Sequence, residues 1–259
     1  MAAPAGRDPT PPPGTGAALF ARYAYPPNEL GHCGPPGAGV LLEGATSGTD
    51  DDELRRRAVL FEGAWPYLRL IAGAGGIADP LDPRVVQAYW LGGPLLDCVD
   101  RHALVDAVRS SFGMQPGVPE RVAYLAGTPI WASHAYHVFV VYPWVGLLGN
   151  HSDVPRSVLD TCRVRWGEVV EVAAETALVR SRPLVWDGAA LSLGTERTEH
   201  TRWAASGHAF VSGLAVGDVV SLHWDWVCDR LDAEGVESLR VGTLHQLEVI
   251  NVWLAARTS

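Results

Sequence analysis

Two residues far apart in this chain have side chains suited to holding a soft transition metal. Cys162 stands before a β-type run, Cys162-Arg163-Val164-Arg165-Trp166-Gly167-Glu168-Val169-Val170-Glu171-Val172. His223 closes another, Val216-Gly217-Asp218-Val219-Val220-Ser221-Leu222-His223, which a Gly-Asp turn introduces. The pattern predicts that Cys162 opens one strand and His223 ends a second strand of the same small barrel. Thiolate and imidazole together suit iron, zinc or copper(I). Two protein donors leave coordination positions open, as a carrier needs and a structural zinc site does not.

Further candidates surround this pair. His32 and Cys33 lie in the loop Gly31-His32-Cys33-Gly34-Pro35-Pro36-Gly37, where glycine lets backbone approach a ligand closely. Neighbours in extended backbone point to opposite sides, so this loop must bend if both are to reach one ion. The segment reads equally as a loop anchor or as a reactive thiol or second metal site. In His134-Ala135-Tyr136-His137 two imidazoles stand at i and i+3, on one face if the segment is helical. They form a usable donor pair or a pair of core histidines. Asp225 and Asp229 flank Cys228 and are placed to orient His223, or to cap and pair with arginine as such residues commonly do. Glu29 and Glu62 are candidate general bases.

Composition narrows the chemistry. The 259 residues are 47% hydrophobic, enough for a substantial core in one large or two smaller domains. Net charge is −9, so nucleic acid and anionic membranes are not expected partners. All twenty basic residues are arginine. Without lysine there is no Schiff base for pyridoxal phosphate and no P-loop or kinase lysine. No Gly-x-Gly-x-x-Gly follows a strand and no His-Glu-x-x-His occurs, so no nucleotide cofactor is expected. No apolar run reaches the roughly 18–20 residues that span a bilayer, and no signal pattern opens the chain. A cytoplasmic location follows as the expectation. There the four cysteines, Cys33, Cys98, Cys162 and Cys228, stay reduced.

The elements that must position these residues divide the chain. Residues 1–16 read as a Pro/Gly-rich flexible lead-in. A short helix at 19–25 should close at Pro26-Pro27. Asp50-Asp51-Asp52 caps a helix over 53–72, whose stripe of Leu54, Ala58, Phe61, Trp65 and Leu68 has helical spacing, with Pro66 kinking it. Helices follow at 83–90, 100–112 and 133–142. After Asn150 the pattern changes to short β-type runs with turns at Asp187-Gly188 and Gly217-Asp218. Residues 184–193 form a hairpin around a tight Asp-Gly turn. Helices at 233–241 and 243–256 end the chain. The predicted fold is α+β: a mainly α-helical domain over 17–153, then a small OB-like β-barrel with C-terminal helices over 154–259.

The second part, roughly residues 159–240, resembles the small HypC/HupF-type [NiFe]-hydrogenase assembly chaperones. The run from Cys162 to Val172 is similar to their opening cysteine strand. Val216-Gly217-Asp218-Val219-Val220-Ser221-Leu222-His223 is similar to their Val-Gly-Asp-Tyr-Val-Leu-Val-His strand, and the segment from Trp224 to Glu234 stands in the place of their tail. The resemblance implies that Cys162 and His223 hold an iron fragment bearing carbonyl and cyanide ligands. It further implies a hydrogenase maturation factor or large-subunit precursor as partner. The chain departs from that pattern in three places. Cys162 is internal and has no free amine beside it, Trp166-Gly167 replaces Pro-Gly, and an insertion occupies about 194–207. The whole chain also resembles an uncharacterised bacterial and archaeal family. That likeness rests on Tyr25-Pro26-Pro27-Asn28-Glu29-Leu30-Gly31-His32-Cys33-Gly34, on the run from Phe139 to Leu148, and on His223-Trp224-Asp225-Trp226-Val227-Cys228.

Two functional expectations follow. One is an accessory protein of hydrogenase-maturation type that binds or relays iron, or another transition metal, without turnover. The other is a metal- or thiol-dependent enzyme with a cleft between the halves, lined by His32, Cys33, His134 and His137.

Overall fold

In the computed structural model, residues 15–150 and 152–258 are described. The predicted lead-in, 1–16, lies outside them except at its end. There the Thr15 hydroxyl accepts from the Ala18 N–H at 3.3 Å and starts α1 (Gly16–Glu29). Every residue of α1 from Gly16 to Asn28 is buried. A helix buried on all sides is the centre of its domain. Against it pack α2 (Gly39–Ser47), α3 (Asp52–Val59) and α5 (Pro83–Leu91), and α4 (Trp65–Ala74) packs on α5.

Two helix boundaries differ from the sequence reading. α1 does not stop at Pro26-Pro27 but passes through both. Each proline removes the N–H that would bond the carbonyl four residues back and crowds that carbonyl with its ring, and a side chain from the barrel replaces one of the lost bonds, as shown below. The helix expected over 53–72 is two helices, broken at Leu60–Ala64. Pro66 does not kink its interior but sits in the first turn of α4, where no N–H is needed. Other caps fall as the sequence suggests. Asp51, Asp82 and Asp100 accept backbone N–H groups at the starts of α3, α5 and α6 (Arg101–Phe112). α7 (Val118–Leu125) follows.

Ser133 caps α8 (His134–Tyr136), which runs on into a π turn at His137–Val141. The Tyr142 N–H reaches the His137 carbonyl at 2.9 Å. Such a turn leaves carbonyls off the α ladder, and a buried arginine takes them. Arg121, 2% exposed, donates to the carbonyls of Val140, Val141 and Tyr142 at 2.7, 3.2 and 3.5 Å.

α9 (Val154–Cys162) corrects the expectation that Cys162 opens a strand: Cys162 is the last residue of a helix. Pro155 starts that helix, and Pro155, Leu159 and Cys162 are among its buried residues. β1 (Arg165–Val172) begins three residues later. β2 (Thr176–Ser181), the hairpin β3 (Leu184–Trp186) and β4 (Leu191–Leu193), β5 (Arg197–Arg202), the small ladder β6 (Ala204–Ala205) and β7 (His208–Ala209), β8 (Val219–His223) and β9 (Trp226–Arg230) complete the β part. The β3–β4 connection spans four residues rather than a two-residue turn. The Asp187 carboxylate organises it by accepting from the Ala189 and Ala190 N–H groups at 2.8 Å.

Five strands close a barrel in the order β1-β2-β5-β9-β8, with β5 and β9 parallel and the other neighbours antiparallel. Closure and this order make the barrel OB-like, and the molecule is α+β. Instead of two C-terminal helices there is one, α10 (Ala233–Thr258), started by Asp232, whose carboxylate accepts from the Gly235 N–H at 2.8 Å. No helix among the described residues is long and apolar enough to cross a membrane.

Strand alternation fixes how barrel and helices meet. Along β8, Val220 and Leu222 point into the barrel interior with Val169, Val179 and Val227. Ser221 and His223 therefore face outward, and both are buried against α1. The Ser221 hydroxyl lies 2.8 Å from the Tyr23 hydroxyl. On β9, Trp226 and Cys228 likewise leave the barrel interior and join the apolar cluster that contains α1, α5 and α10. The seam between barrel and helices is part of that continuous core.

Candidate metal centre

His223 ends β8 next to a bulge in its pairing with β9, between Ser221 and Leu222. Its Nδ1 lies 2.6 Å from the Tyr23 carbonyl oxygen. A carbonyl only accepts, so Nδ1 carries the proton and Nε2 keeps its lone pair. That carbonyl is available because the residue four ahead, Pro27, has no N–H to give it. His223 is 1% exposed, and its Nε2 has no hydrogen-bond partner among the described residues. A buried, unpartnered imidazole nitrogen is costly unless something occupies it.

His134 approaches from the first turn of α8. Its Nε2 donates to the Cys162 carbonyl at 2.8 Å, which leaves the lone pair on Nδ1, 3.4 Å from the Tyr89 hydroxyl. Cys162, 3% exposed, arrives from the end of α9. One ring nitrogen of His134, one of His223 and the Cys162 Sγ all lie within 4.8 Å of one another. The two imidazole rings are 5.0 Å apart between centroids, with the Trp90 indole 4.5 Å from His134 and 5.5 Å from His223.

An arginine holds this junction. Arg165, 3% exposed, donates to the carbonyls of Asp160 and Thr161 at the end of α9, both at 3.1 Å. It also donates to the Trp224 carbonyl, just past His223, at 2.7 Å. The Trp224 N–H closes the loop on the Thr161 carbonyl at 2.8 Å. The backbones that carry Cys162 and His223 are thus tied to each other at the positions beside them. In the sequence Arg165 has the spacing of a barrel residue, and nothing local marks it as a clamp.

The three donors face a cavity of about 20 Å³. It is also lined by Cys33, Gly63, Tyr89, His137 and Tyr142. That volume holds about one water-sized occupant. Burial keeps the site uncharged. It lowers His134 to about 4 and His137 to about 3, and it holds His223 well below the ordinary histidine value, with His134 a further cause for the last two. The imidazoles are neutral donors at neutral pH. Burial also raises both thiols, Cys33 to about 11 and Cys162 further, with Cys33 adding to the rise at Cys162. Without a metal neither is a ready nucleophile; a bound cation reverses that preference and takes the thiolate.

The remaining candidates fall in three places. His137 and Cys33 line the same cavity, both within 4 Å of where a Gly63 Cβ would stand; His137 Nδ1 is 3.2 Å from the Tyr67 hydroxyl. His32 does not join them: it is exposed, and its ring stacks on Trp224 at 4.3 Å. Asp225 does not orient His223, whose Nδ1 is committed to Tyr23; Asp225 is exposed and pairs with Arg202 at 2.9 Å. Cys228 is buried, and its thiol points toward the Trp226 carbonyl at 3.7 Å. Glu29 is engaged with Arg202 and the Tyr25 hydroxyl, each at 2.6 Å, and Glu62 is exposed.

No curated protein and no solved structure matches the chain. A family of unknown function, DUF6390, matches residues 12–257, and the chain belongs to that family.

Proposed function

We propose that this protein binds one transition-metal ion through His134, Cys162 and His223, and acts by holding or delivering it. The observation that carries this reading is His223: its buried Nε2 has no hydrogen-bond partner among the described residues, and one of its ring nitrogens lies within 4.8 Å of a ring nitrogen of His134 and of the Cys162 Sγ. The donor set of one thiolate and two imidazoles suits zinc, copper or iron. Among the described residues the cavity is lined by no carboxylate that would serve as general base, and in this conformation it is too small for an organic substrate. Both features favour binding over turnover.

The resemblance to hydrogenase assembly chaperones supports delivery of iron as the specific role, with a maturation factor or large-subunit precursor receiving it. The paired Cys162 and His223 and the OB-like barrel favour that reading. An iron carrying several diatomic ligands exceeds a space of about 20 Å³, so it requires the loop over 30–38 to open.

The test is metal analysis of anaerobically purified protein, wild type beside Cys162→Ala and His223→Gln. Wild type should hold up to one ion per chain, and each variant should lose it while keeping the wild-type circular dichroism spectrum. Equal metal content in all three would defeat the assignment.

A further inference from the structure

The charges around the cavity bear on which ion it holds. Among the described residues, none that lines it is Asp, Glu or Arg. Arg165, the neighbouring cation, is matched by Glu199 at 3.0 Å. A divalent ion on His134, Cys162 and His223 would therefore leave one positive charge uncompensated in a buried apolar space, which the interior strongly disfavours. One more thiolate would cancel it.

Cys33 is the residue in place to supply that thiolate. It lines the same cavity, outside the 4.8 Å group. Its backbone is pinned: Asn28 Nδ2 donates to the carbonyls of Cys33 and Pro35, both at 2.7 Å. Gly34, at φ +79°, packs so closely on the Phe61 ring that a Cβ there would come within 2.4 Å of it. The preceding residue is fixed by the stack of His32 on Trp224. The Cys33 side chain is half-buried with the Gly34 backbone N–H beside its thiol, and rotation about its Cα–Cβ bond moves the sulfur without moving that backbone. Gly63 keeps that side of the cavity open; a Cβ at this position would stand 3.9 Å from the Cys33 Sγ and 3.2 Å from His137 Nε2.

We propose that Cys33 is the fourth donor, and that the centre takes a divalent ion of the zinc class in a neutral Cys2His2 set with His134, Cys162 and His223. This rests on the three-donor reading above. Loading exchanges two thiol protons, released to solvent, for one dication, so the buried charge stays at zero. The half-exposed Cys33 is then the donor at which an incoming ligand begins to exchange the ion.

Zinc added to the full chain, with sulfur counted by X-ray absorption, separates the outcomes. Wild type is expected to show two sulfurs at about 2.3 Å and two nitrogens. Cys33→Ser and Cys33→Ala should each show one sulfur. Their zinc affinity should fall by at least the roughly 100-fold that marks the upper end of outer-shell losses, with an unchanged circular dichroism spectrum. One sulfur in wild type, with Cys33→Ala binding zinc equally well, overturns the role of Cys33 and leaves the three-donor centre standing. Preference for copper(I) over zinc with a single sulfur does the same. Failure of wild type to bind zinc or copper(I) removes both.

Discussion

Pro27 and His223 are 196 positions apart, yet one sets the tautomer of the other. The missing N–H of Pro27 frees the Tyr23 carbonyl, the carbonyl takes the His223 Nδ1 proton, and the lone pair is left on Nε2. Pro27→Ala restores the helical competitor for that carbonyl. It should weaken metal affinity by about 10–100-fold, as loss of an orienting partner does, without lowering the thermal midpoint. Isothermal titration with zinc and a melting curve check the two halves of that expectation, and unaltered affinity would mean that Tyr23 does not orient the ring. Cys162 and His223 were legible as a pair through the order of cysteine, barrel and histidine that resembles the assembly chaperones, although Cys162 ends a helix and does not open a strand. His134 and His137 were visible through their i, i+3 spacing. Tyr23 and Arg165 were not, because both act through backbone carbonyls or bonds formed only after the barrel has packed against α1.

The helical segment that carries His134 is short and irregular, and it depends on its neighbours. At the end of the π turn over His137–Val141, Arg121 donates to the carbonyls of Val140, Val141 and Tyr142. Arg121→Met keeps the length of the side chain and removes the donors. It should cost roughly 3–5 kcal/mol through buried, unpaired carbonyls, lowering the thermal midpoint on the order of 10 °C. A shift of under 2 °C in differential scanning calorimetry would show that water or another group takes over. Periodicity marked this segment as helix and Pro143 as its end, but the wider turn has no signature in residue types. The same limit explains α9. Val164 and Trp166 suggested a strand reaching back to Cys162, whereas Pro155 and the buried positions Leu159 and Cys162 belong to a helix that ends there. Proline was misjudged twice for different reasons: at Pro27 the freed Tyr23 carbonyl finds another donor in His223, and at Pro66 a new helix begins, so no N–H is needed there.

Helices and barrel share one apolar cluster, and three neutral histidines lie within it or along its edge. The unfolded chain protonates them near 6.5, while the folded chain holds His134 at about 4, His137 at about 3 and His223 well below its ordinary value. Below 6.5 the unfolded state thus binds more protons, and stability present above that pH is lost as the solution is acidified. For His134 alone the loss by pH 4 is on the order of 3 kcal/mol. The metal-free protein should therefore melt markedly lower at pH 5 than at pH 7, and a flat profile between them would show that the rings are already solvated. The α+β class and the barrel were readable from the switch in periodicity after residue 150. The seam was not, because strand alternation alone does not say which face of β8 meets another element. The claim on which everything else depends is that His134, Cys162 and His223 share one ion across that seam. Crystals grown with zinc and measured at its absorption edge test it most directly. The expected result is one anomalous peak within about 2.0–2.4 Å of a nitrogen from each histidine and of the Cys162 sulfur. Zinc bound only at surface residues, with this cavity empty or holding water, would contradict it.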